Sequence, residues 1–192
     1  WRWSWISASK PSRPVDAPGV LVDDTVLGLG RLARGYLGRL SADVVGLTGS
    51  SGKTSTKDLL AAVLATAAPT VAPHGSLNTE VGVPLTVLRA DSSTRVLVLE
   101  MSARGVGHIA YLCEIAPPRV GIVLNVGAAH LGEFGSREIV AQAKGELVEA
   151  LPTADDGGVA LLNADDPLVS AMRSRTRARV VTFGLRADAD VR

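Results

Sequence analysis

The stretch Val44-Val45-Gly46-Leu47-Thr48-Gly49-Ser50-Ser51-Gly52-Lys53-Thr54-Ser55-Thr56-Lys57 leaves this chain few folds to choose from. It runs from an apolar segment into glycines, then Gly-Lys-Thr, then Asp58-Leu59-Leu60-Ala61-Ala62-Val63-Leu64, which has helical character. Strand, glycine-rich loop and helix in that order form a phosphate cradle. Backbone N–H groups converge on an anion, the helix start adds partial positive charge, and a lysine reaches the outer phosphates. The hydroxyl of a threonine placed after that lysine suits Mg²⁺. The general pattern asks for a glycine five residues before Gly52, where Leu47 stands. Glycines fall at 46, 49 and 52 instead, which marks a particular subclass of nucleotide loop. An ordinary glycine turn with an exposed lysine is the competing reading, and the strand-to-helix context weighs against it.

From Asp43 onward the segments alternate. Candidate strands cover 43–48, 95–101, 119–125, 157–163 and 178–184; candidate helices cover 53–66, 83–90, 106–116, 136–151 and 166–174. The strands are unbroken apolar runs such as Val96-Leu97-Val98-Leu99, as expected when helices cover both faces. The fold predicted is α/β, a mostly parallel sheet flanked by helices, with ligands at the carboxyl ends of the strands. Only 4% of residues are aromatic, so Ala, Val and Leu must build the core.

Before Asp43 the pattern is thinner. Residues 1–11 hold Trp1, Trp3 and Trp5 and read as a disordered or non-native end. A short strand-like run at 19–22 precedes Asp23-Asp24, which starts a helix with apolar spacing through Leu40. Residues 12–42 are therefore expected to be the remnant and linker of a preceding domain, and 43–192 a nucleotide-binding domain truncated at its C-terminus.

Several function classes are disfavoured. A net charge of +1 argues against a nucleic-acid or membrane-surface partner. No apolar run reaches the ~18–20 residues that cross a bilayer. The lone Cys113 has no partner for an internal disulfide, fits a reducing cytosol, and reads as a buried thiol rather than a nucleophile.

The chemistry gathers at strand ends. Glu100 closes the run 95–101, and a carboxylate there, beside a phosphate loop, is where a nucleotide enzyme holds Mg²⁺. His130 follows the run 119–125, open to a metal or phosphate role or to ordinary loop packing. Lys144 shares helical spacing with Val140, Leu147 and Leu151, which puts it on an inward stripe. A buried lysine must pair, lose its proton or be modified, unless it snorkels at the stripe's edge. It is one of only four lysines, with Lys10, Lys53 and Lys57, so each position carries weight. The loop 73–85 presents Asn78 and Glu80, either to a substrate or as a helix cap.

These residues resemble the Mur ligases of peptidoglycan synthesis. Gly46-Leu47-Thr48-Gly49-Ser50-Ser51-Gly52-Lys53-Thr54 is similar to their phosphate loop, glycine spacing included. Three further stretches resemble the branch that joins D-alanyl-D-alanine to UDP-N-acetylmuramoyl-tripeptide. They are Ser76-Leu77-Asn78-Thr79-Glu80-Val81-Gly82-Val83-Pro84-Leu85-Thr86, Glu100-Met101-Ser102-Ala103-Arg104-Gly105-Val106-Gly107-His108-Ile109, and Asn125 through Lys144 with Ala128-Ala129-His130-Leu131-Gly132-Glu133-Phe134-Gly135-Ser136. The matches span about 43–185.

The resemblance implies a P-loop NTPase-like Mur ligase central domain and ATP-dependent amide formation through an acyl phosphate. Its implied substrates are a UDP-muramoyl-peptide and D-alanyl-D-alanine, its cofactors ATP and Mg²⁺, its place the cytoplasm, and its intact state a monomer. By the matches, Gly49, Ser50, Ser51, Gly52, Lys53, Thr54 and Ser55 cradle the phosphates, and Lys53 neutralises charge on the transferring group. Thr54 and Glu100 hold one Mg²⁺, while His130 and Lys144 serve a second. Lys144 falls where several Mur ligases carry a carbamylated lysine. Asn78 and Glu80 face the substrate, and Asn163 approaches the nucleotide. Thr79 stands where the family usually has a second Asn, which bears on substrate contact. The adenine-binding His-Asn motif and the closing C-terminal domain are not among these residues. Two alternatives follow: a truncated ATP-binding module without ligase activity, or another acid–amino-acid ligase of the superfamily, such as a folate polyglutamate type. The 125–144 block argues against the last.

Overall fold

The computed structural model describes residues 20–127, 136–186 and 188–192. Helix α1 (Thr25–Leu37) precedes strand β1 (Asp43–Thr48), followed by α2 (Lys53–Ala65), β2 (Thr70–Val71), α3 (Gly82–Val87) and β3 (Val96–Glu100). Then come α4 (His108–Ile115), β4 (Val120–Val123), α5 (Arg137–Glu149), β5 (Val159–Asn163), α6 (Pro167–Ser170) with a 3-10 turn at Ala171–Arg175, and β6 (Arg179–Phe183). The six strands form one sheet in the order β2-β3-β1-β4-β5-β6, and every pair is parallel. The predicted architecture stands.

Strand side chains alternate between two cores, as the two-residue period requires. Val44, Leu97, Leu99, Val123 and Leu162 point into the larger one, with Ala33 and Leu37 of α1, Leu112 of α4 and Leu147 of α5. Val45, Leu47, Val98, Ile122 and Leu124 face the other way, against Leu60 and Leu64 of α2. Helices on both faces explain why the strands are apolar throughout. Helix α1 is seated on this unit as well, since Tyr36 Oη donates to Ala90 O at 2.7 Å.

Local chemistry sets the helix starts. Asp24 caps α1 by accepting from the amides of Val26 and Leu27, and Ser136 caps α5 by accepting from Ile139 N. The segment 20–22 is not a strand: Val20 and Leu21 are exposed and pair with no strand among the described residues. The predicted helix at 106–116 begins only at His108, because Gly107 sits at φ +93°. The predicted helix at 166–174 divides into α6 and the 3-10 turn. Residues 1–11 lie outside the described residues.

Candidate functional site

The sheet order brings the chemistry together. With β1 central, the loop that leaves it emerges between the ends of β3 and β4, and Leu47 lies opposite Glu100 in the β1–β3 register. Gly49 has no room for a side chain, since a Cβ there would sit 2.9 Å from Leu124 Cβ. Gly52 turns the chain at φ +77°, a left-handed conformation that favours glycine, and delivers it into α2. The first amides of α2, at Lys53, Thr54 and Ser55, have no intrahelical acceptor, and no side chain caps them. Lys53 Nζ folds back over the loop and donates to Gly49 O at 2.9 Å.

Asn125, just past β4, braces the other side. Its Oδ1 accepts from the amides of Ser50 and Ser51, each at 3.0 Å, and its Nδ2 donates to Ser51 O at 3.2 Å. Sequence reasoning placed Asn125 at a strand end but gave it no role at the loop. The adjacency of β4 to β1, which creates that role, is a long-range fact.

Glu100 is 1% exposed. Its Oε2 accepts from Thr54 Oγ1 at 2.9 Å and its Oε1 from Asn78 Nδ2 at 2.6 Å. Both donors are neutral. A buried carboxylate without a cation is costly, and the side of the loop where Thr54 and Glu100 meet presents hard oxygen donors, the chemistry Mg²⁺ takes. Two buried hydroxyls, Thr48 Oγ1 at the end of β1 and Ser50 Oγ in the loop after it, lack any hydrogen-bond partner among the described residues. Orphaned hydroxyls, a constricted glycine turn, an uncapped helix start and a lysine together fit a polyphosphate with its metal. Among the described residues there is no group of three or more His, Cys, Asp or Glu side chains able to hold a metal alone. A metal here would take oxygens from the nucleotide and water besides Thr54 and Glu100.

Lys144 is buried on α5, 6% exposed, as its helical spacing predicts. Burial, reinforced by the positive charge of Lys53, pushes its ammonium down to about 8. That leaves a minority of it neutral near physiological pH, and its burial sets it apart from a snorkelling lysine. His130 lies outside the described residues. Asn163 sits at the end of β5, where Nδ2 donates to Leu124 O at 2.8 Å and Oδ1 accepts from Asp165 N at 2.9 Å. Its amide thus ties the ends of β4 and β5 together.

Asn78 and Glu80 part company. Asn78 joins Glu100, while half-buried Glu80 lines a neighbouring cavity of about 280 Å³ with Ser102, Gly107, His108, Tyr111 and Leu112. Beneath that cavity, buried Glu146 of α5 accepts from Gly107 N and Ala110 N and so caps α4 from outside its own sequence. Nothing in the local sequence marks Glu146 for that job. Cys113 is buried against Met101 Sδ, and burial pushes its thiol up to about 12, in keeping with an inert side chain.

The model of the Mur ligase middle domain family matches residues 47–192. The UDP-N-acetylmuramoyl-tripeptide--D-alanyl-D-alanine ligase of Mycobacterium tuberculosis is 53% identical over 93% of this chain and 37% of its own length. Its counterpart in Escherichia coli is 43% identical over 81% of this chain and 34% of its own length. The crystal structure of MurF ligase from Thermotoga maritima in complex with ADP superposes with a TM-score of 0.79 at 40% identity, covering 90% of this chain and 40% of that one. The structure of Escherichia coli FolC in complex with ADP reaches a TM-score of 0.52 at 16% identity and shares the fold alone. The chain spans a little over a third of the curated relatives it matches. No helix among the described residues is long and apolar enough to cross a membrane.

Proposed function

Because the chain belongs to the Mur ligase family through its middle domain, we propose that it binds ATP and Mg²⁺ in a cytoplasmic ligase joining D-alanyl-D-alanine to UDP-N-acetylmuramoyl-tripeptide. The observation that carries this reading is the linked set Thr54–Glu100–Asn78. One carboxylate touches both the start of the nucleotide helix and the loop that resembles the family's substrate loop.

In this reading the chain mostly positions and neutralises, which is what phosphoryl transfer asks of a protein. The free amides at the start of α2, with Gly49 to Ser55 around them, hold the phosphates, and Lys53 leaves Gly49 O to meet the transferring group. Thr54 and Glu100 would hold one Mg²⁺, and His130 and Lys144 would serve a second; held there, the metal would supply charge neutralisation at the phosphate oxygens. Lys144 performs its part as a carbamate. Its neutral amine adds to the carbon of CO₂; one N–C bond forms as one C=O π bond opens onto oxygen, and one N–H proton leaves to solvent, which puts an anionic oxygen donor where an amine stood. Asn78 and Glu80 orient the muramoyl-peptide so that its carboxylate attacks the γ-phosphate. The amine of D-alanyl-D-alanine then displaces phosphate from the acyl phosphate. Asn163 supports the nucleotide through the β4–β5 junction.

Calorimetric titration of the 192-residue chain with ATP, with and without Mg²⁺, tests the reading. Saturable binding that depends on Mg²⁺ and Lys53 is expected. No binding to the folded chain, or equal binding by Lys53→Ala, overturns it.

A further inference from the structure

Lys57 takes no part in the chemistry above, yet it is the bulkiest of the fully buried side chains among the described residues, with 0% exposure. It lies one helical turn beyond Lys53. Its ammonium has three protons and three acceptors: Pro73 O at 2.7 Å, Gly75 O at 3.1 Å and Asp58 Oδ1 at 2.6 Å. A buried ammonium is tolerated only when so saturated, and an apolar side chain would fill the same space at less cost. What an apolar residue cannot do is hold two carbonyls of another segment.

That segment is the start of the loop carrying Asn78. Gly75 turns it at φ +62°, Asn78 N donates to Ser76 O at 2.9 Å, and Ser102 N donates to Asn78 O at 3.0 Å. A closed circuit results. Thr54 meets Glu100, Glu100 meets Asn78, the backbone returns from Asn78 to Gly75, and Lys57 carries it back to the helix that bears Thr54. Lys53 and Lys57 therefore stand one helical turn apart on the same helix, the first toward the phosphate loop and the second toward the loop 73–80.

We propose that Lys57 is a positioning residue that locks the loop 73–80 to the nucleotide-binding helix, so that filling the phosphate loop and setting Asn78 beside Glu100 are mechanically coupled. The term coupling rests on the functional reading above; the lock itself does not.

The test is amide hydrogen exchange on the 192-residue chain and its Lys57→Met variant, each alone and with Mg²⁺-ADP. Losing a saturated set of hydrogen bonds should speed exchange at 74–80 about tenfold or more in the ligand-free variant, with β1 and β3 unchanged. In the parent chain Mg²⁺-ADP should slow exchange at 74–80; in the variant that response should vanish while ADP affinity moves less than about threefold. Unchanged exchange at 74–80, or a uniform rise that includes β1 and β3, overturns the proposal, the latter marking a merely structural lysine. So does a nucleotide response that survives in the variant. Failure of the parent chain to bind ADP overturns the functional reading and the coupling, while the ligand-free comparison still decides the lock. Should Lys57→Met not fold, Lys57→Gln, which keeps a neutral donor, is held to the same outcomes.

Discussion

Thr54 and Glu100 share a 2.9 Å hydrogen bond that joins the first turn of α2 to the last residue of β3. The two are 46 residues apart in sequence and meet because β1 and β3 are neighbours in register. The carboxylate is thereby fixed at the edge of the phosphate loop, buried and facing neutral donors only. A site of this kind is organised before its ligand arrives, so binding has less conformational entropy to overcome.

Lys53→Ala should weaken Mg²⁺-ATP binding by at least about tenfold, the scale of one charge-assisted hydrogen bond to phosphate. The fold should persist, because Lys53 spends its ammonium only on Gly49 O. Calorimetry for affinity and circular dichroism for fold check both halves. Full affinity in the variant would remove Lys53 from the site.

Glu100→Gln should separate metal from nucleotide. The ligand-free variant is expected to be as stable as the parent or slightly more so, because a buried anion has been replaced by a neutral amide of the same shape. Its ATP affinity should become nearly the same with Mg²⁺ and with EDTA, whereas the parent's should differ. A retained metal dependence would place Mg²⁺ elsewhere.

Much of this was legible in the sequence, and the rest was hidden for identifiable reasons. The strands around Val45, Val98, Ile122 and Leu161 announce themselves as apolar runs, and Lys144 is placed inward by spacing alone. The strand Thr70–Val71 is too short to carry a period and exists because β3 pairs with it. The run at 19–22 has strand composition, but its described residues, 20–22, pair with no strand among the described residues. Asn125, Glu146 and Lys57 derive their roles from backbone groups that are 36 to 75 residues distant or, for Lys57, on a loop folded back over its helix. Hydrophobic periodicity carries no information about such contacts. The position of Asn163 was foreseen, but not that its amide would be spent on Leu124 O and Asp165 N.

Gly82→Ala tests the packing behind the substrate loop. A Cβ at Gly82 would lie 2.5 Å from the carbonyl carbon of Leu77 and 2.7 Å from its Cα, and backbone cannot swing aside as a side chain can. The loop must shift and drag Asn78 with it. Overpacking is expected to cost about 1–3 kcal/mol, set against the roughly 1 kcal/mol that alanine returns in a helix, and backbone at this distance puts the cost toward the upper end. Chemical denaturation measures it, and a stabilised variant would contradict the geometry.

Lys144 should carry CO₂. An amine pushed down to about 8 by burial and by Lys53 offers the neutral form that carbamylation requires. Mass spectrometry under native, bicarbonate-containing buffer should show a population heavier by one CO₂, lost at low bicarbonate and absent in Lys144→Met. An unmodified mass in bicarbonate with nucleotide and Mg²⁺ present would rule it out.

Cys113 supplies the pH prediction. Burial raises its thiol from an ordinary 9.0 to about 12, so the folded state holds its proton where the unfolded state releases it. The stability contributed is complete below pH about 9 and is lost as pH rises through the window from about 9 to about 12, up to roughly 4 kcal/mol in total. Denaturant midpoints should therefore fall progressively above pH about 9, and less steeply in Cys113→Ala, which has no proton to lose. The same burial predicts that iodoacetamide leaves the native chain unlabelled at pH about 8 and labels it within minutes once it is unfolded. Rapid labelling of the native chain, or an alkaline slope unaffected by the alanine variant, would show that Cys113 is not sealed behind Met101 as the packing has it.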